Sequence, residues 1–167
     1  MYGYSRKIKL PVSDVPRGEH LTLIYKNDDD VLDFVQSFLA SGFERNDLCV
    51  WITPGIKDNE NMGELFRQNA IYADHNSCSS NFDLVLINPN LFSDAGAYSN
   101  AIMEMIENKK KYAIENGFNG LSINIDLIRD EFGMLPFLRE CQNSIISLSS
   151  DFNLTTLFTS PLESFSS

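Results

Sequence analysis

Apolar residues fall in two rhythms along this chain, and the rhythms alternate. His20–Tyr25 (HLTLIY) is a short run of apolar and β-favouring residues and predicts a strand. Val31, Phe34, Val35, Phe38 and Leu39 then recur at i, i+3, i+4, i+7 and i+8, which puts them on one face of a helix over Asp28–Ser41. Gly42 fits a C-terminal cap for that helix. Leu48–Thr53 (LCVWIT) is apolar on both faces, as a strand covered by helices on both sides would be. Pro54-Gly55 ends it. Asp58–Asn69 reads as a short helix with Met62, Leu65 and Phe66 inward, and 71–81 is polar and irregular.

Asp83–Ile87 is a third strand, stopped by Asn88-Pro89, with a loop over 90–96. Tyr98–Asn116 predicts a long helix with Ile102, Met105, Ile106, Tyr112 and Ala113 on one side. Its lysines, 109–111, lie in the C-terminal half, where they suit the helix dipole, and Gly117 caps it. Gly120–Asp126 (GLSINID) is a fourth strand, 127–133 a loop, and Leu135–Ser150 a helix with Pro136 near its first turn. Asn153–Thr159 is the last strand. Strands alternating with helices predict an α/β three-layer sandwich around a mostly parallel sheet. The expected organisation is an N-terminal arm over 1–18, one domain over 19–160 and a tail over 161–167.

Composition narrows the function classes. The chain has 167 residues, 43% of them hydrophobic, which is enough for one domain with a real core. A net charge of −10 argues against nucleic acid and anionic membrane surfaces as partners. No apolar run reaches the ~20 residues that span a bilayer, and the start MYGYSRKIKL lacks a signal-peptide core, so a cytoplasmic protein is expected. Three cysteines, at 49, 78 and 141, do not make a disulfide framework, and Cys49 and Cys141 read as small core residues.

The turn after the first strand is the most telling stretch for chemistry. In nucleotide-binding βαβ units that turn carries glycines and a lysine that cradle phosphates. Here it is Lys26, Asn27, Asp28, Asp29 and Asp30, with no glycine and three carboxylates at the helix start. Those acids complement the helix dipole themselves and repel a triphosphate.

The His20-to-Tyr25 strand, the following helix, the strand CVWIT and the block Gly117–Asp126 (GFNGLSINID) together resemble the MEDS domain, the sensory domain named for methanogen and methylotroph regulators. The likeness runs over about 18–160. Such domains look like degenerate relatives of RecA-like, circadian-clock-type ATPases. The resemblance implies a P-loop-NTPase-like fold without a working P-loop. It puts Asp126 near the position of a metal-binding carboxylate at a strand end, with Pro54-Gly55 where a catalytic glutamate would follow the second strand. The same layout implies the strand order: 20–25 internal, then the last strand, 120–126, 48–53 and, at the outer edge, 83–87.

In open α/β sheets ligands bind beyond the carboxyl ends of the strands. Tyr25, Thr53, Asp126 and Thr159 would stand at that edge, and with Trp51 and Phe158 they could line an apolar pocket holding a few polar groups. Tyr25 also reads as a core aromatic with a satisfied hydroxyl. His20 opens its strand and so belongs to the other edge; the resemblance, not geometry, makes it a candidate. His75 and Cys78 do not complete a zinc site, no catalytic triad is evident, and no cofactor or metal is expected.

Two functions from different classes follow. One is a non-catalytic sensory or ligand-binding domain of a signalling or transcriptional system, with a small metabolite or a signalling protein as partner and homo-oligomers allowed. Its output module would be another protein or another part of a longer chain. The other is a residual nucleotide-binding domain resting on Asp126, Arg45 and Lys57. A purely structural protein-interaction module fits the same features as the first.

Overall fold

Strand β1 (His20–Tyr25) leads through only two residues, Lys26 and Asn27, into helix α1 (Asp28–Glu44). This computed structural model describes residues 18–53, 81–88, 91–127, 134–149 and 151–161. The remaining elements are β2 (Asp47–Thr53), β3 (Phe82–Leu86), helix α2 (Ala95–Glu115), β4 (Gly120–Asp126), helix α3 (Met134–Leu148) and β5 (Leu154–Pro161). The helix expected at 58–69, the arm, most of the loops at 71–81 and 127–133, the tail, and the His75 and Cys78 pair lie outside the described residues.

The five strands form one sheet in the order β1-β5-β4-β2-β3, and every pairing is parallel. Parallel pairing follows from the crossovers, since strands joined through a helix run the same way. The neighbour order is the expected one, but among the described residues β1 is not internal. Among the described residues it pairs only with β5 and forms an edge. Its side chains show it: Leu21, Leu23 and Tyr25 are half-buried against α1, while Thr22 and Ile24 alternate with them in the open. The central strands β2, β4 and β5 are buried along almost their whole length, as strands covered on both faces are.

Two cores make the sandwich. On one face, Val50, Ile52, Ile123, Ile125 and Phe158 pack with Ile102, Ile106, Cys141 and Ile145 of α2 and α3. On the other, Val31, Val35, Phe38 and Leu39 of α1 pack with Cys49, Trp51 and Leu157. Phe34, expected to face the sheet like Phe38, is only half-buried at the margin of that cluster. Both described cysteines are buried thiols, as expected. Burial pushes Cys49 well up and Cys141 to about 12, so neither is a reactive thiolate.

The helix ends divide into one correct expectation and one correction. Gly117 (φ +76°) closes α2: its N–H donates to the Ile114 carbonyl, and Phe118 N–H to Ala113, both bonds of a Schellman cap. The α2 start lies earlier than the apolar pattern implied, because Asp94 accepts a hydrogen bond from Ala97 N–H at 2.8 Å and caps it. Lys109 and Lys110 do not serve their own helix end. Lys109 pairs with Asp83 of β3, and Lys110 with Asp151 and the Leu148 carbonyl at the end of α3.

Gly42 is not a cap. Helix α1 continues through it to Glu44, and Asn46 (φ 60°) takes the left-handed position. Gly42 is needed for close approach: a Cβ there would stand 2.7 Å from Cys49 Sγ and 2.9 Å from Ser122 Oγ. Alanine should gain about 0.5–1 kcal/mol of helix propensity. It should lose about 1–3 kcal/mol to overpacking against two strands that cannot retreat. Gly42→Ala is therefore expected to lower stability in urea unfolding. A variant more stable than the parent would mean that the helix can lift off β2 and β4 at no cost.

Candidate functional site

Strand β4 carries Ser122, Asn124 and Asp126 at alternate positions, and all three turn toward α1 while Leu121, Ile123 and Ile125 enter the opposite core. A polar row on a strand buried on both faces must find its partners inside the protein. Ser122, near the amino end, donates to Asp47 Oδ2 at 2.9 Å, and Arg45 Nε stands 3.3 Å from the same oxygen. Asn124, mid-strand, donates through Nδ2 to the Leu157 carbonyl at 3.0 Å and to Thr159 Oγ1 at 3.4 Å.

Asp126 ends the row at the carboxyl edge. Trp51 Nε1 donates to its Oδ2 at 2.8 Å, and Thr159 Oγ1 donates to its Oδ1 at 2.5 Å. The Thr53 hydroxyl stands beside the same carboxylate but makes no hydrogen bond of normal geometry. Burial raises the Asp126 pKa above the usual carboxylate range, and the bonds from Thr159 and Trp51 oppose the rise. The indole is fully buried, so the only tryptophan of the chain reports directly on this carboxylate.

Of the residues anticipated from sequence, Trp51, Thr53, Asp126 and Thr159 come together. Phe158 does not join them, because strand alternation turns it into the α2–α3 core. Tyr25 lies on the correct face at the end of β1, half-buried, but β5 and β4 separate its strand from β2. At ~4.8 Å per strand it stands roughly 14 Å from the Trp51 strand. His20 is at the opposite end and on the other face. Its Nδ1 is 2.8 Å from Thr156 Oγ1 and its Nε2 3.4 Å from Ser149 Oγ, and burial lowers its pKa. That histidine ties β1 to β5 and to the end of α3.

Arg45 is also far from the carboxyl edge, engaged by Asp47 and Ser122 where β2 and β4 begin. Lys57 lies outside the described residues. Asn124 escaped notice in the sequence, although the alternation Ser122, Asn124, Asp126 within an otherwise apolar strand was its signal. Among the described residues no group of three or more histidine, cysteine, aspartate or glutamate side chains could hold a metal ion, and no helix is long and apolar enough to cross a membrane.

No curated protein matches the chain. One family model, described as MEDS (MEthanogen/methylotroph, DcmR Sensory domain), matches residues 19–131. That span runs from β1 past the end of β4, and so contains Trp51, Thr53 and Asp126 but not Thr159. With the match extending over most of the 167 residues, the chain belongs to the MEDS family of sensory domains.

Proposed function

We propose that this protein is a non-catalytic sensory domain that binds a small uncharged ligand at the carboxyl edge of its sheet and passes its state to a partner in a signalling or transcriptional system. The observation that carries the reading is the Trp51–Asp126–Thr159 cluster, a partly buried polar network at the edge where open α/β sheets receive ligands. A network of this kind adds little to a core that apolar residues could fill as well. It suits a site that must orient a ligand.

Nucleotide binding has little support. A P-loop needs roughly eight residues between strand and helix, whereas β1 and α1 are joined by two. Arg45, one of the two cations that could have met phosphates, is held at the far edge by Asp47. The relation to RecA-like ATPases would then be one of layout without chemistry.

The test is titration of Trp51 fluorescence and melting temperature with a panel of small uncharged metabolites, beside Mg–ATP. Uncharged compounds are expected to shift both readouts, and Mg–ATP to shift neither and release no phosphate. Phosphate release that disappears in Asp126→Ala would replace this reading with the nucleotide one. A silent panel, together with a protein partner recovered by pull-down, would replace it with the interaction-module reading.

A further inference from the structure

Two oxygens in the polar row have no hydrogen-bond partner. Asn124 Oδ1 and Thr53 Oγ1 are enclosed by protein and unbonded, in residues that are 0% and 1% exposed. The Asn124 amide cannot be turned over to relieve this. Its NH₂ faces the Leu157 carbonyl, which only accepts, so the unbonded atom is the acceptor oxygen. Both atoms belong to the face that carries Asp126: Asn124 lies two residues before it on β4, and Thr53 ends the neighbouring β2. The Asp126 carboxylate accepts from Trp51 and Thr159 and, with about four lone-pair sites, retains capacity. The row thus holds more acceptor capacity than the bonds described above fill, and a buried unpaired acceptor is costly to maintain.

We propose that this row selects its ligand by an O–H or N–H group donated to Asn124 Oδ1, with the Thr53 hydroxyl completing the contact and the Trp51–Asp126 bond registering the event. The inference rests on the ligand-binding reading above and adds a chemical class to it: small neutral alcohols, amides and related hydrogen-bond donors, in preference to pure hydrocarbons or acceptor-only molecules. A site built from unpaired acceptors rejects an analogue lacking the donor far more strongly than an apolar pocket distinguishes shapes.

The experiment uses the full ¹⁵N-labelled chain, whose one tryptophan gives one indole N–H resonance. The probes are 1-butanol and its isomer diethyl ether, which has the same atoms but no donor. 1-Butanol is expected to move the indole resonance at a concentration about tenfold or more below that needed for diethyl ether. Thr53→Val replaces an unbonded hydroxyl by a methyl of similar shape. It should keep or raise the melting temperature while erasing the preference for the alcohol. Equal responses of the parent chain to both isomers would overturn the donor requirement and leave the ligand-binding reading standing. No response to either, or a Thr53→Val variant that melts lower than the parent, would overturn the inference, and the wider metabolite panel then decides the broader reading separately.

Discussion

Replacing Phe38 with alanine is expected to cost about 3–5 kcal/mol, the range for a fully buried phenylalanine whose loss leaves a cavity. Phe38 is 1% exposed, and it sits in the cluster of α1 side chains that closes the Trp51 face of the sheet. Among the described residues α1 is the helix that covers this face, whereas two helices cover the other. The α1 layer therefore has little redundancy. Phe34, one turn earlier, is half-buried at the cluster margin, and Phe34→Ala should cost clearly less. Urea unfolding of the two variants measures the contrast. A Phe38 loss no larger than the Phe34 loss would mean that the helix is rotated about its axis. Since total stability of a domain is about 5–15 kcal/mol, Phe38→Ala should also leave Trp51 less shielded, and a red-shifted emission in the folded variant would report it.

The pattern of this chain announced its elements well, because both rhythms it uses are set by local geometry. β1 and β4 have the anticipated bounds, and the two cores contain most of the apolar positions that periodicity selects; Phe34 is only half-buried, and Tyr112, expected on the inner side of its helix, is 44% exposed. What escaped the pattern is what depends on contacts distant in sequence. Gly42 could mean a left-handed residue or a close approach. The residues beside it do not say which, since the Cys49 thiol and the Ser122 hydroxyl that exclude a Cβ come from two other elements. Lys109 and Lys110 looked like helix-dipole residues because their acidic partners, Asp83 and Asp151, are 26 and 41 positions away.

The candidate site was half legible for the same reason. Strand ends can be read from sequence, so Thr53 and Asp126 could be placed at one edge. Whether side chains on different strands share a face depends on register. Thr159 pairs with Asp126 across β5 and β4, and Trp51 with Asn124 across β2 and β4, which brings those groups together. Register also sends Phe158, adjacent in sequence to Thr159, to the opposite core. The internal place expected for β1 was carried over from a layout in which further strands flank it, whereas among the described residues β1 is an edge strand. Here the strand's own alternation of half-buried and exposed residues marks an edge.

Arg45→Met should be the most damaging change at the other end of the sheet, at about 2–4 kcal/mol. The Asp47 carboxylate is in a residue only 1% exposed, and it receives Arg45 Nε at 3.3 Å and Ser122 Oγ at 2.9 Å, while Arg45 Nη2 donates to that same serine oxygen at 3.2 Å. Removing the cation takes an ion-pair partner from a buried carboxylate, which in fully enclosed pairs costs about 3–5 kcal/mol. The Arg45 side chain is 20% exposed, so water can partly replace it and the cost falls below that range, to about 2–4 kcal/mol. Arg45→Lys should cost less but not nothing, because an ammonium cannot engage Asp47 and Ser122 together as the guanidinium fork does. Arg45→Met combined with Asp47→Asn should recover much of the single-variant loss, since the buried charge is gone and the amide oxygen still accepts from Ser122. Chemical denaturation of the four species in a double-mutant cycle gives the coupling directly. An Arg45→Met loss within about 0.5 kcal/mol of zero, the usual result at an unengaged surface, would show that the pair contributes no stability. The same variant separates structure from function. Asp47 and Gly120 are partners where β2 and β4 start, six residues or roughly 20 Å of strand from Asp126. A folded Arg45→Met chain should therefore keep the ligand response of Trp51, whereas a nucleotide site using Arg45 would lose it.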